Sequence, residues 1–394
     1  MNRGVVVILD QIRAAKGEEA FENRSLLSAL FSDFARGGFK GEFHLMDLAF
    51  STGLYRELKE NPENCADIRR RYRIRMDSEY CWTSEQVDFA VSCCLALLGR
   101  SQVPDDGGEL RRLKDSAEQG DPQACYSLGL AYEMADGVAR DYEKAAVWFE
   151  KAAGLGLADA QHKLGLCYYS GRGVGQDYAR AEYWWLQAAQ QGHAVAQFNL
   201  GIRYSYGLGA EKDDKEAARW FAQAARQGYA DAQNCLGVMY RDGRGTHRND
   251  NKAAYWFSQA AQQGSAGAAC NLAQCYLSGH GVRQDEFKAV YWFGKAAKLG
   301  DARAQMFLAQ CFEKGVGCRK DMEQALHWYV KAAGHGSAEA QNRLGECCYY
   351  GIGVQLDYNQ AGIFWEQAAS RGMKQAQEHL RRLRQDGLGN YTSI

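Results

Sequence analysis

From residue 109 onward, apolar and polar positions alternate with helical spacing inside a longer period. Between 157 and 192, Ala160, Leu164 and Tyr168 fall on one helical face and are followed by the turn Gly171-Arg172-Gly173. A second amphipathic stretch then carries Ala181, Trp184, Ala188 and Ala189 up to Gly192. The layout returns without insertion or loss, as Gly120, Gly156, Gly192, Gly228, Gly264, Gly300, Gly336 and Gly372 mark at 36-residue intervals. A constant period of this length predicts a stack of helix–loop–helix units, each burying its apolar face against the next. Residues 1–100 lack the period. They predict short amphipathic helices at about 4–15, 24–36 (Leu26, Leu27, Leu30, Phe31, Phe34), 42–60, 66–76 and 84–98. Residues 101–108, with Pro104, Gly107 and Gly108, read as a linker, 109–389 as the repeat array with a half-unit at each end, and 390–394 as a tail.

Recurring columns predict how the units are built. Asp141, Asp177, Asp213, Asn249, Asp285, Asp321 and Asp357 stand where the second helix begins, and their side chains suit N-caps worth about 1 kcal/mol each. The 36-spaced glycines suit the left-handed position that ends that helix. Alanine holds 124, 160, 196, 232, 268, 304, 340 and 376, and one turn later comes Gly129, Gly165, Gly201, Gly237, Ala273, Ala309 and Gly345. Glycine inside a helix costs about 1 kcal/mol against alanine, so its retention predicts a bulky neighbour at close range. The expected neighbours are Trp148, Trp184, Trp220, Trp256, Trp292, Trp328 and Phe364. In the last half-unit Arg381 and Arg384 replace the apolar columns, as a terminal cap with no following repeat requires.

The pattern A-x-A-Q-x-x-L-G-x-x-Y-x-x-G-x-G-V-x-x-D…A-x-x-W-x-x-x-A-A-x-x-G resembles the Sel-one-like repeat family, related to tetratricopeptide repeats. Seven full units carry it, 121–156 through 337–372. The resemblance implies an all-α fold, a right-handed α/α superhelical solenoid used as an adaptor in protein complexes, often in bacteria. Residues 1–100 are similar to a helical module that precedes such repeats in some bacterial proteins. The cysteine-rich secreted branch of the family links residues eight apart. Here those places hold Ala153 with Gln161, Ala189 with Gln197, Ala333 with Gln341, and Ala117 with Cys125, so that framework does not carry over.

Composition narrows the partners. The chain has 394 residues, 46% of them hydrophobic, and a net charge of −1 with no polarised half, which gives no electrostatic reason to expect nucleic acid or an anionic membrane. Val5–Leu9 is too short an apolar run for a signal-peptide core or a membrane span, so a soluble, cytoplasmic protein is expected. Thirteen cysteines are an odd number. Cys167, Cys275, Cys311 and Cys347 share one column with Ala131, Arg203 and Met239, which predicts reduced thiols acting as small apolar fillers.

No catalytic constellation recurs in the units. The eight histidines are scattered, no Cys-x-x-Cys exists, and no cofactor or metal is expected. The Gly-x-Gly turns recur in nearly every copy, which marks them as turns rather than phosphate cradles. Arg69–Arg75 is the one dense basic run; it reads as a solvated helix face with Ile68, Tyr72 and Met76 turned inward, nucleic-acid contact being the alternative. If the first helix of each unit lines the concave side, the variable positions there are Tyr126, His162, Phe198, Asn234, Met306 and Asn342. A second row holds Lys163, Asn199, Asn271, Phe307 and Arg343; a third holds Tyr169, Arg241, Glu313 and Tyr349, with Tyr206 and Tyr350 adjacent. Aromatics, Met, Asn and Arg in such columns suit recognition of a peptide or protein. The expected function is a non-enzymatic interaction scaffold. An enzymatic or regulatory N-terminal domain served by the solenoid is the alternative.

Overall fold

The structure, a computed structural model, describes residues 106–209 and 211–387 together with Arg56, Glu57, Glu60, Ile68, Arg71 and Tyr72. The helices predicted at 4–15, 24–36 and 84–98 and the tail 390–394 lie outside the described residues. Arg56, Glu57, Glu60, Ile68, Arg71 and Tyr72 are all helical, in keeping with helices over 42–60 and 66–76. Ile68 and Tyr72 are buried, while exposed Arg71 pairs with Glu57 at 2.6 Å. For these three residues the packing is the one-faced arrangement expected; the rest of the basic run lies outside the described residues. Among the described residues every element is helical, and no helix is long and apolar enough to cross a membrane.

The chain forms two units, Met1–Asp177 and Tyr178–Ile394. In the first, α1 (Asp106–Glu118), α2 (Pro122–Met134), α3 (Tyr142–Gly154) and α4 (Ala158–Ser170) pack each on the next. Helix α1 takes in Gly107 and Gly108, three residues earlier than the linker reading allowed.

The second unit runs α5 (Tyr178–Gln190), α6 (Ala194–Tyr206), α7 (Asp214–Arg226), α8 (Ala230–Asp242), α9 (Asp250–Gln262), α10 (Ala266–Ser278), α11 (Glu286–Lys298), α12 (Ala302–Lys314), α13 (Met322–Gly334), α14 (Ala338–Tyr350), α15 (Tyr358–Ser370) and α16 (Lys374–Gln385). Even-numbered members are the first helices of their repeats and odd-numbered ones from α3 onward the second. Within each unit a second helix packs on the first helix of its own repeat and on that of the next, and α5 packs on α6, the layout of an α/α solenoid.

Six of the predicted caps form as the sequence predicts. Asp141, Asp213, Asn249, Asp285, Asp321 and Asp357 each accept a backbone N–H from the first turn of their helix. In the Gly-x-Gly turns the second glycine is needed for close approach. At Gly245 (φ +63°) a Cβ would collide with the carbonyl oxygen of Asp214 at the start of α7. Arg381 and Arg384 on α16 are exposed, as a terminal cap requires.

The hole-filling side chain is not the one expected. A Cβ on Gly129, Gly237 or Gly201 would meet the rings of Phe149, Phe257 and Phe221, and one on Gly345 would meet the Trp365 ring. These are the residues after the predicted tryptophan column. Phe149, Phe221, Phe257, Phe293 and Tyr329 are among the largest fully buried side chains. Trp148, Trp184, Trp256, Trp292 and Phe364 are only half-buried, although Trp220 and Trp328 are buried. One residue along a helix is a rotation of about 100°, which turns the tryptophan column to the edge of the core.

The glutamine of the A-x-A-Q motif is a cross-helix tie. Gln161, Gln197, Gln233 and Gln305 donate Nε2 to the carbonyls of Ala153, Ala189, Ala225 and Ala297 at 3.2, 3.0, 3.1 and 3.1 Å. It joins the eight-apart places that the secreted branch would cross-link. At 125 the Cys Sγ donates to the Ala117 carbonyl at 3.3 Å. The repeated cysteine column is buried, and burial pushes the thiols of Cys167, Cys275, Cys311 and Cys347 up to about 11. Arg203, in the same column, is also buried; its guanidinium pairs with Glu182 at 2.8 Å.

Candidate functional site

Several of the variable positions on the first helices are tied across repeats within their unit. Lys163 Nζ reaches Glu133 at 2.9 Å, linking α4 to α2. In the second unit Asn271 Nδ2 donates to Asn234 Oδ1 at 2.9 Å, linking α10 to α8, and His379 Nδ1 meets Asn342 Oδ1 at 3.2 Å. Arg343 pairs with Glu313 on α12 and, at 2.6 Å, with Glu346. Burial raises the Glu313 carboxyl, but Arg343 and the Tyr329 hydroxyl outweigh it and hold it below its ordinary value. The Tyr329 hydroxyl, donating to Glu313 at 2.6 Å, is pushed up by burial and by that bond.

The aromatic candidates sit with one face on the core. Tyr126 packs on Phe149 with ring centroids 5.8 Å apart. Phe198 touches Phe221 at 5.7 Å and Tyr229 at 5.1 Å, and Phe307 stacks on Phe293 at 5.2 Å. Tyr349 contacts Tyr350, Tyr358 and Trp365. Met306 packs half-buried against the core, and His162, Tyr169 and Asn199 are half-buried. Asn342 is buried outright, its backbone carbonyl taken by Trp365 Nε1 at 3.2 Å. Its side chain serves the helix contact and is withdrawn from the surface, a correction to its place in the predicted row. Tyr206 and Tyr350 are the open ones, 72% and 64% exposed at the ends of α6 and α14.

Three of the predicted positions meet in one cavity. Arg241 at the end of α8, Asn271 on α10 and Phe307 on α12 line a space of about 320 Å³, completed by Arg248, Leu277 and His280. Arg241 Nε holds Asp242 at 2.7 Å and Arg248 Nε holds Asp250 at 3.1 Å. The Arg248 pair lowers the Asp250 carboxyl. Burial pushes the Cys275 thiol in the wall up to about 11, which disfavours the reactive thiolate. Among the described residues no group of His, Cys, Asp and Glu is placed to hold a metal ion.

A second surface was missed by the sequence reading. Tyr183, Tyr255 and Tyr291 on α5, α9 and α11 are more than half exposed, each edge-on to the tryptophan that follows it. Val147 and Ile363 hold the equivalent places on α3 and α15. The signal was available: the residue before each tryptophan is apolar in most copies, at the same 36-residue spacing.

Comparison with known proteins agrees with this architecture. The Sel1 repeat matches residues 122–157, 158–193, 194–229, 230–265, 266–301, 302–337 and 338–373. The crystal structure of c5321, a protective antigen of uropathogenic Escherichia coli displaying an SLR fold, is 33% identical with a TM-score of 0.66, over 72% of this chain and 61% of that one. The chain thus spans about three fifths of that antigen's length. A Sel1 repeat protein from Oxalobacter formigenes is 33% identical with a TM-score of 0.57, over 62% of this chain and 96% of its own. No curated protein matches the sequence. With seven consecutive copies over more than half of its length, the chain belongs to the Sel1 repeat family.

Proposed function

We propose that the protein is a non-enzymatic scaffold that holds a peptide or protein segment on the first-helix face of the Tyr178–Ile394 unit. Sel1 repeat proteins are in general protein-interaction scaffolds. The observation that carries the reading is a set of aromatic side chains immobilised on buried rings yet half open: Phe198 on Phe221, Phe307 on Phe293 and Tyr349 on Trp365. Rigid aromatic anchors lose little entropy on contact and dominate binding energy in protein interfaces. Tyr126, His162, Lys163 and Tyr169 extend the same reading to the first-helix face of the Met1–Asp177 unit. The buried, repeated cysteine column supports reduced thiols, and with them a cytoplasmic setting.

Affinity capture from the native host tests the scaffold. A variant carrying Phe198→Ser, Phe307→Ser and Tyr349→Ser is expected to lose the partners that the wild type retains, while Tyr255→Ser with Tyr291→Ser keeps them. Unchanged capture by the first variant refutes the assignment.

A further inference from the structure

We infer that the cavity beside Asn271 receives one peptide bond of an extended acidic segment, with Arg241 and Arg248 meeting an adjacent Asp or Glu side chain and Phe307 and Leu277 covering an apolar one. This rests on the scaffold reading and narrows it to a place and a ligand chemistry.

Asn271 supplies the first argument. It is 4% exposed, lines the cavity, and its Oδ1 has no hydrogen-bond partner, while Nδ2 is used on Asn234. An orphaned buried acceptor costs about 1–3 kcal/mol; Oδ1 itself is closed to solvent, so a ligand donor recovers that cost by turning the amide toward the cavity. The two amide atoms of an asparagine are interchangeable in position, and rotating Asn271 together with Asn234 would orphan the Asn271 Nδ2 instead. A peptide bond satisfies either arrangement because it offers an N–H and a C=O together. A phosphate or carboxylate offers acceptors alone.

The rim supplies the second argument. Two cations, Arg241 and Arg248, stand at the rim with one lining carboxylate, Asp250, and with Asp242 beside Arg241. Arg241 is tied in two-pronged fashion to exposed Asp242 and Arg248 likewise to half-buried Asp250, and pairs this open to solvent are worth about 1 kcal/mol or less. Each can turn to a ligand carboxylate at little cost and bind it in the two-pronged geometry arginine favours. At about 320 Å³ the space holds on the order of ten waters of ~30 Å³ each, enough for a peptide group and one side chain. The Phe307 ring, stacked on Phe293, gives that side chain a fixed apolar wall.

The test is to select a phage-displayed random dodecapeptide library on the full chain. The consensus peptide is then synthesised with a fluorophore and its anisotropy titrated against variants. The selected peptides are expected to carry Asp or Glu beside an apolar residue. Arg241→Gln with Arg248→Gln should weaken binding about tenfold and flatten its salt dependence. Asn271→Leu should weaken it about tenfold at every salt concentration. Both arginines are on the surface, so their variant folds even if Asn271→Leu does not. Selected peptides that bind both variants as they bind the wild type, or that are basic, overturn the cavity assignment and leave the scaffold standing. If the wild type selects no peptide at all, the peptide-binding scaffold falls with it.

Discussion

The ring of Phe257 occupies the space where residue 237 would carry its Cβ: Cε1 stands 2.6 Å from that position on Gly237. Neighbouring repeats show the limit of tolerance, since Ala273 and Ala309 hold the equivalent place opposite Phe293 and Tyr329. Gly237→Ala should therefore gain about 1 kcal/mol in helix propensity and lose about 1–3 kcal/mol to overpacking, for a small net destabilisation. Phe257→Ala should cost about 3–5 kcal/mol. Trp256→Ala should cost clearly less, because its indole is half in solvent. Urea denaturation of the three variants measures the order. A larger loss at Trp256 than at Phe257 would restore the tryptophan column as the core.

That comparison marks what the sequence could tell. The period, the caps, the terminal arginines and the glycine holes were legible because each is a residue type with one mechanical use. The identity of the filler was not, since positions 148 and 149, and their equivalents, are aromatic in nearly every copy and differ only by rotation about the helix. The candidate face was legible as a set of columns but not as a site. Which members are spent on neighbours depends on contacts about 30 or 37 residues apart, such as Lys163 with Glu133 or Asn271 with Asn234, and helical spacing within one unit is blind to them. Arg241, Asn271 and Phe307 come from three successive repeats and meet only through stacking.

Gln233 offers a second test of the stack. Its Nε2 satisfies the Ala225 carbonyl and its Oε1 accepts from Gln263 at 2.8 Å. Gln233→Met keeps the volume but strands the buried carbonyl, and should destabilise by about 1–3 kcal/mol. Thermal unfolding followed by circular dichroism reads the loss. A neutral result would make the glutamine column ornamental to the fold.

Acid sensitivity should trace to Glu313. Its carboxyl is held below the ordinary 4.5 by Arg343 and Tyr329 despite the opposing effect of burial. A carboxyl with a depressed folded value stabilises fully at a pH above its unfolded value and loses that contribution as pH falls through the folded one. Glu313→Gln should therefore be less stable than wild type at neutral pH, with the gap closing below about pH 4. Urea midpoints measured across that range decide it; a gap independent of pH would detach the pair from stability.

The exposed tyrosine stripe gives a control that separates surface from core. Tyr291 is 55% exposed and leans edge-on against Trp292, with Lys295 over both rings. Tyr291→Ser should change stability by no more than about 1 kcal/mol. A loss of several kcal/mol in a urea titration would place that column inside the packing.

Hydrogen–deuterium exchange on the complex with a captured partner bears most directly on the scaffold itself. Amides of α8, α10 and α12, and the turns that follow them, should exchange more slowly when the partner is bound, with α9, α11 and α13 little changed. Protection confined to those second helices, along Tyr255 and Tyr291, would contradict the account and move recognition to the opposite helices of each pair.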